Sequence, residues 1–227
     1  MNRDDRVLNL FRRAAADRER GASEIEEGLV RGLLELKLDS GALVAGARLL
    51  TEGQPVMANL RSLAARAASP GFRRFLEQRA GVLDELPHRL AANAWPHIEG
   101  ASTVVTISRS RTVAAVVEGA RERGWRGSVA VVASTATAPS CFDASAVVVL
   151  VGADAVGPRR FINAAGTTML LELAAARGVE RVLAADSGKD VSEDILDDIV
   201  DSLQASDLEW PVFEAIPMNL VSKRVTD

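Results

Sequence analysis

The sequence is poor in the side chains that build disulfides and metal sites. It contains one cysteine, Cys141, and two histidines, His88 and His97, in 227 residues. A single cysteine excludes an internal disulfide, and one cysteine with two histidines is too few for a dedicated zinc or thiolate site. We therefore expect no metal and no cofactor. Cys141 has no adjacent base, so we interpret it as a buried or half-buried small residue.

Long apolar runs and an excess of positive charge are also missing. A membrane-spanning helix needs about 20 consecutive apolar residues, and no stretch of the sequence approaches that length. The formal net charge of -4 gives no long-range attraction toward DNA or RNA. The opening residues carry charges of both signs, whereas a secretory signal has a basic segment followed by an apolar one. We expect a cytoplasmic protein without direct nucleic-acid binding.

The first part of the chain has the apolar spacing of packed helices. Apolar residues recur every three or four positions, as on one face of a helix. They include Val7, Leu10, Phe11, Ile25, Leu29 and Leu33. Glycine and proline interrupt the pattern at Gly41, at residues 53–55 and at residues 69–71. The pattern predicts four or five helices, and we assign residues 1–99 to an N-terminal helical domain.

From Gly100 onward, short β-branched runs alternate with helical periods. The predicted strands are residues 102–107, 128–132, 146–151 and 181–185. The predicted helices are residues 112–123 and 167–177, closed by Gly124 and Gly178, and an acidic amphipathic helix within 190–209. Such alternation requires crossover connections, which place parallel strands in one sheet with helices on its faces. We therefore predict an α/β fold, with residues 100–227 as a Rossmann-like domain.

Polar runs directly after the predicted strands are the candidate site, because ligands bind at the carboxyl ends of parallel strands. The first run is Ser108, Arg109, Ser110 and Arg111. It places two guanidinium groups and two hydroxyls at a helix start, where backbone N–H groups and the helix dipole favour an anion. The alternative is that Ser110 caps the helix while the arginines reach into solvent.

Asp154 and Lys189 follow two further strands. Asp154 closes the most apolar strand, where partial desolvation raises the proton affinity of a carboxyl group and suits a general acid. An aspartate that caps the following loop is the alternative. Lys189 either adds a positive charge to the same pocket or is a surface lysine.

Several segments, taken in order, carry a family resemblance. They are Arg20-Gly21-Ala22, residues 55–60, residues 106–113, residues 151–156 with Asn163 and Gly166-Thr167, residues 184–189 and residues 213–217. Together they resemble the family that unites methylthioribose-1-phosphate isomerase, archaeal ribose-1,5-bisphosphate isomerase and the α, β and δ subunits of eukaryotic translation initiation factor 2B. The resemblance covers most of the chain and implies a homodimer.

The resemblance also implies roles for individual residues. Arg20, Gly21 and Ala22 are expected to contact a substrate phosphate, and Asp154 to be the aspartate of the cysteine–aspartate pair that moves a carbonyl group between C1 and C2 of a phosphorylated pentose. Ser108 stands where the family has its cysteine. The phosphate-binding set is completed by residues that the matching segments supply: Arg109, Ser110, Arg111, Asn163 and Lys189.

The sequence departs from the family at several functional positions. An unassisted serine has too high a pKa to replace a thiolate as a base. Gln54 and Ala164 stand where the family has an arginine and a lysine. Most of a strand-and-helix unit, with its Gln-Gly-x-Arg segment, is expected to be missing between Val132 and Ala146, so we expect a shortened domain.

Two hypotheses follow. The first is a divergent protein of this family that binds a phosphorylated sugar, with an isomerase activity in which Asp154 is the acid and Ser108 or a water molecule is a weak substitute base. The second is a non-catalytic regulatory or assembly module related to initiation factor 2B subunits, which binds a sugar phosphate or a nucleotide. A dehydrogenase is set aside, because no Gly-x-Gly-x-x-Gly segment follows a predicted strand.

Overall fold

The computed structural model of the protein describes residues 3–107, 110–132, 139–142, 146–204 and 212–227. The chain divides into two compact units, Met1–Glu85 and Leu86–Asp227. This division falls within a long helix, Phe72–Ile98, whereas our sequence-based boundary between residues 99 and 100 follows the end of that helix. Among the described helices, none is long and apolar enough to cross a membrane.

The first unit is helical, as predicted. Its described elements are α1 (Arg3–Ala16), α2 (Ala22–Leu34), α3 (Ser40–Gly53), α4 (Ala58–Arg66) and the first part of α5 (Phe72–Ile98). The interruption predicted at Gly41 lies slightly earlier, between the end of α2 at Leu34 and the start of α3 at Ser40. The Asp39 side chain caps α3 by accepting a hydrogen bond from Ala42 N at 3.0 Å, so the helix begins at Ser40 and Gly41 lies in its first turn.

Close contact between α1 and α3 depends on small side chains. A Cβ atom at Gly46 would lie 2.2 Å from a ring carbon of Phe11, so only glycine lets α3 approach this buried ring. At the end of the same pair, the buried Gln54 side chain donates hydrogen bonds to Ala14 O at 3.0 Å and to Asp17 O at 2.6 Å. Gln54 therefore satisfies carbonyl groups that the end of α1 leaves without helical partners.

A buried ion pair joins α2 to α5. Arg79 donates to both carboxylate oxygens of Glu26, at 2.6 and 2.8 Å, and Asn59 of α4 donates to the same carboxylate at 2.9 Å. The exposed fractions of the Arg79 and Glu26 side chains are 10% and 3%. Because a buried carboxylate is stable only when its charge and hydrogen bonds are matched, this cluster sets the relative position of three helices.

The second unit contains the predicted parallel sheet. The strands are β1 (Thr103–Thr106), β2 (Ser128–Val131), β3 (Val147–Val151), β6 (Glu180–Ala184) and β8 (Lys223–Val225), in the order β2-β1-β3-β6-β8 with every neighbouring pair parallel. The described helices after α5 are α6 (Arg111–Glu122), α7 (Thr167–Ala176) and α8 (Glu193–Gln204). Gly124 and Gly178 adopt positive φ angles just past α6 and α7, so both predicted helix ends are confirmed.

The remaining strands were not predicted from the sequence. β4 (Ala155–Val156), β5 (Arg160–Ala164) and β7 (Phe213–Pro217) form a separate antiparallel sheet in the order β4-β5-β7, and β8 extends the parallel sheet. β4 has only two residues, and β5, β7 and β8 mix charged with apolar residues, so these segments lack the apolar run of a buried strand. Of the predicted acidic helix, residues 193–204 are helical, and residues 205–209 lie outside the described part of the chain.

The buried ion pair gives the first testable prediction. We expect Glu26→Ala to lower the free energy of unfolding by about 3–5 kcal/mol, because the Arg79 guanidinium then stays buried without its counter-charge. The measurement is urea unfolding monitored by circular dichroism. Glu52→Ala is the matched control, because Glu52 pairs with Arg48 on the surface of the same unit and its loss should change stability little.

A double variant separates charge from packing. Replacing Glu26 and Arg79 together by leucine removes both charges, so the loss should be smaller than for Glu26→Ala alone. Equal destabilisation by Glu26→Ala and Glu52→Ala would contradict the structural role of this pair.

Candidate functional site

The carboxyl ends of β1, β3 and β6 lie side by side at one edge of the parallel sheet. The strand order places β3 between β1 and β6. The chain passes from β1 to β2 on one side and continues to β3 on the other side of β1. Such a reversal opens a crevice between the loops that leave the two strands, and ligands of open α/β sheets bind there. The candidate site is therefore the β1–β3 end of this edge.

The loop after β1 meets the loop after β3 at Ser110 and Gly152. A Cβ atom on Gly152 would lie 3.0 Å from Ser110 Oγ, so this glycine allows the two loops to touch. Ser110 Oγ accepts a hydrogen bond from Val113 N at 3.1 Å and caps α6, as one of the two sequence interpretations proposed. Arg111 is exposed at the first position of α6. Ser108 and Arg109 lie outside the described residues.

Asp154 is the last residue of the turn from β3 to β4. Its backbone N–H donates to Ile162 O at 2.8 Å, and its side chain is partly exposed. Burial of the carboxyl group raises its pKa, and the Lys189 ammonium opposes part of this rise. No hydrogen bond to this carboxyl group is found from the described side chains. Asp154 therefore carries a desolvated carboxyl group with a raised pKa.

Lys189 is buried beneath this turn. It is 3% exposed, and its Nζ donates to Ala153 O at 2.7 Å and lies 3.9 Å from Asp186 Oδ2. Asp186 is itself fully buried, and its Oδ1 accepts a hydrogen bond from Gly188 N at 3.1 Å. The interpretation of Lys189 as a surface lysine is wrong, because this ion pair compensates its charge inside the fold.

The end of β8 completes the edge beside β6. Asp227 Oδ1 accepts a hydrogen bond from Ser187 N at 2.7 Å. Burial alone would raise the pKa of Asp227. The hydrogen bonds that its carboxylate accepts from Ser187, from Thr226 and from its own backbone outweigh burial and lower that pKa. The sequence analysis assigned no role to Asp186 or Asp227. Asp186 lies in a polar run that it did single out, whereas nothing in the sequence indicates that Asp227 reaches Ser187.

Asn163 is buried beside the start of α7. Its amide donates to Thr167 Oγ1 at 3.1 Å, and the Thr167 hydroxyl donates to Ala164 O at 2.6 Å. Glu214 of β7 accepts a hydrogen bond from Thr168 N at 2.7 Å. A protein carboxylate thus already occupies the start of α7, which makes α6 the better helix for an anion at this edge.

Arg20, Gly21 and Ala22 belong to the first unit, where Arg20 and Gly21 precede α2 and Ala22 is its first residue. The Arg20 guanidinium is about half exposed and donates to Asp17 Oδ2 at 2.7 Å. Burial raises the pKa of Asp17, but the hydrogen bonds from Arg20 and Glu19 outweigh it and lower that pKa. Gly21 precedes the helix and Ala22 is buried. Gln54, which stands where the family has an arginine, supports this turn by donating to Asp17 O.

The described residues contain no group of three or more histidine, cysteine, aspartate or glutamate side chains placed to hold a metal ion. The chemistry that this edge offers comes from a desolvated carboxyl group, a helix start and an exposed guanidinium. Those groups suit a ligand that carries both hydroxyl groups and an anionic group.

Comparison with known proteins shows which structures share this fold. No protein-family model matches the sequence, and no curated protein sequence matches it. A solved structure described as translation initiation factor eIF-2B from Pyrococcus horikoshii is 22% identical, over 97% of this chain and 94% of its own, with a TM-score of 0.77. The tetrameric eIF2B-beta2-delta2 complex from C. thermophilum contains a chain that is 16% identical over 97% and 90%, with a TM-score of 0.70.

An enzyme has the same fold. The 5-methylthioribose 1-phosphate isomerase from Pyrococcus horikoshii is 18% identical, over 97% of this chain and 83% of its own, with a TM-score of 0.59. At these sequence identities, the structural similarity establishes the fold alone. It is the fold that the sequence resemblance implied. The chain therefore has the fold that eIF2B subunits share with 5-methylthioribose 1-phosphate isomerase.

Proposed function

We propose that this protein binds a phosphorylated sugar at the β1–β3 end of its parallel sheet. The observation that carries the proposal is the Asp154 carboxyl group, which is desolvated but partly accessible and receives no hydrogen bond from the described side chains. A sugar hydroxyl or carbonyl group supplies the partner that this carboxyl group needs. The phosphate group is assigned to the start of α6, beside Arg111, where the helix dipole and a guanidinium favour an anion.

The family resemblance adds further residues to the proposed binding site. Ser108 and Arg109 immediately precede the start of α6, and Asn163 lies on β5, which pairs with β4 directly after Asp154. The role of Arg20, Gly21 and Ala22 in the first unit, and a homodimer, rest on the resemblance alone. A nucleotide is the alternative ligand, since it carries the same ribose phosphate chemistry.

Binding without turnover is favoured over an isomerase reaction. The reaction needs a base that removes a proton from the sugar and an acid that supplies one. Asp154 has the raised pKa of an acid. The Ser108 hydroxyl is much less acidic than a thiol, so it does not form the anion that would act as the base. The structural similarity to eIF2B subunits also supports a regulatory or assembly module, while the similarity to an isomerase keeps catalysis as the second candidate.

Ligand stabilisation tests the proposed binding. A ligand at 100 times its Kd adds about 2.7 kcal/mol of stability, which for a protein of this size raises Tm by roughly 5–10 °C. We expect such a rise with ribose 1,5-bisphosphate in a thermal-shift panel of phosphorylated sugars and nucleotides, and a smaller one with unphosphorylated ribose. Arg111→Ala should weaken the rise.

Arg126→Ala is the matched control, because Arg126 is an exposed arginine just past the other end of α6. It should leave the ligand-induced rise unchanged. If no phosphorylated sugar or nucleotide stabilises the protein, binding is excluded and an interaction module without this ligand remains. A separate Arg20→Ala variant tests the role that the resemblance implies for Arg20.

The pH dependence of stability tests the state of Asp154. Its pKa in the folded protein lies above the ordinary value of 3.8, so the ionised carboxylate destabilises the fold at high pH. We expect Asp154→Asn to be more stable than the wild type at pH 7. This gain should shrink as pH falls through the folded pKa and vanish below pH 3.8, where the Asp154 carboxyl group is neutral in both the folded and the unfolded state.

Urea unfolding from pH 7 down to the lowest pH at which both proteins fold measures this difference. Asp201→Asn is the control, since Asp201 is exposed on α8 and its replacement should not follow the same pH profile. A wild type that is more stable than Asp154→Asn at pH 7 would contradict a desolvated carboxylate at this position.

Isotope exchange separates binding from catalysis. Isomerisation removes the proton from C2 of the sugar, so a working enzyme in deuterated water exchanges that position with solvent. We expect no deuterium uptake by ribose 1,5-bisphosphate beyond that in protein-free buffer, because Ser108 cannot act as the base. Nuclear magnetic resonance of the sugar detects the label. Uptake that disappears in Asp154→Asn would instead establish the isomerase candidate.

A further inference from the structure

The buried ammonium group of Lys189 acts on the same peptide unit that carries Asp154. Lys189 Nζ donates to Ala153 O at 2.7 Å. The N–H group of that same peptide belongs to Asp154 and donates to Ile162 O at 2.8 Å. One peptide plane is thus held on its carbonyl side from the loop after β6 and on its N–H side from β5, which fixes the point where the Asp154 side chain leaves the backbone.

Asp186 keeps Lys189 in this position. The exposed fractions of the Lys189 and Asp186 side chains are 4% and 1%, and their charged atoms lie 3.9 Å apart. Asp186 is oriented in turn by the hydrogen bond from Gly188 N. A buried ammonium group without a counter-charge would be strongly unfavourable, so the pair holds together the loops after β3 and β6.

We propose that Lys189 is a positioning residue for Asp154: its ammonium group, anchored by Asp186, clamps the Ala153–Asp154 peptide and presents positive charge to the Asp154 carboxyl group from inside the fold. This inference rests on the proposed role of Asp154 in ligand binding and deepens it. The family resemblance implied that Lys189 contacts phosphate, whereas the contacts of Nζ lie with Ala153 and Asp186. Lys189 therefore acts on the site through the peptide that carries Asp154.

The charges around Asp154 determine what each substitution does. Lys189 is the charged group that acts on Asp154 among the described residues, and it lowers the pKa of that carboxyl group against the effect of burial. Asp186 is the carboxylate that offsets the Lys189 charge. Removing Lys189 should therefore raise the pKa of Asp154 further. Removing the negative charge of Asp186 should lower it, because the Lys189 charge is then less compensated.

The experiment is a carbon-detected nuclear magnetic resonance titration of the Asp154 carboxyl group in the full chain without ligand. The Asp154→Asn spectrum assigns the resonance. We expect Lys189→Met to shift the titration midpoint upward and Asp186→Asn to shift it downward. Asp186→Asn keeps an oxygen that can accept from Gly188 N. Lys189→Arg keeps the positive charge, so it should titrate closer to the wild type than Lys189→Met does.

Opposite shifts in Lys189→Met and Asp186→Asn, with rescue by Lys189→Arg, support the inference, because a merely structural role would not give opposite signs. An unchanged midpoint in Lys189→Met, or shifts of the same sign in both variants, would overturn it. If Lys189→Met does not fold, Asp186→Asn and Lys189→Arg still decide, since a downward shift with Asp186→Asn and a near-wild-type midpoint with Lys189→Arg are both required.

This titration uses no ligand, so its outcome is independent of the thermal-shift panel. If phosphorylated sugars fail to stabilise the protein while the titration shifts as expected, the proposed function fails and the clamp stands. If ligands bind while the midpoint does not respond to Lys189→Met, the clamp fails and the proposed function stands.

Discussion

The buried contact between Lys189 and the Ala153 carbonyl group is the constraint on which the site depends. Parallel pairing brings the carboxyl ends of β3 and β6 together. The hydrogen bond from Lys189 to Ala153 O, together with the ion pair between Lys189 and Asp186, then gives Asp154 a defined position. The peptide that carries Asp154 is held on both sides, while burial raises the pKa of its carboxyl group and the Lys189 charge opposes part of that rise.

The first unit shows the same principle of polar groups buried only with their partners. Glu26 is stable inside a helical core because Arg79 and Asn59 satisfy its carboxylate. Gln54 performs a related task at the end of α1, where it bonds carbonyl groups that the helix leaves open. The turn that carries Arg20 follows directly after the end of α1. Gln54, which stands where the family has an arginine, therefore stabilises the chain next to this turn.

The sequence predicted the parts of this structure that depend on local pattern. The parallel strands β1, β2, β3 and β6 and the helices α6 and α7 follow from apolar runs and helical periods, and the position of Asp154 follows from strand order alone. The antiparallel strands escaped because β4 has only two residues and β5 pairs with β7, which lies far later in the sequence. The burial of Lys189 escaped for the same reason, since it depends on a carbonyl group that lies 36 residues earlier in the chain. Ser108 and Arg109 remain predictions.

The fold is shared by eIF2B subunits and by a sugar-phosphate isomerase. The fold alone therefore does not decide the function, which depends on the groups at the carboxyl ends of the parallel strands. The most direct test of the central claim is a crystal structure of the protein with ribose 1,5-bisphosphate. The account predicts a phosphate group at the start of α6 beside Arg111 and a sugar oxygen within hydrogen-bond distance of the Asp154 carboxyl group, with Lys189 Nζ still on Ala153 O. A sugar phosphate bound away from this edge, or an ammonium group of Lys189 turned onto its phosphate, would contradict the account.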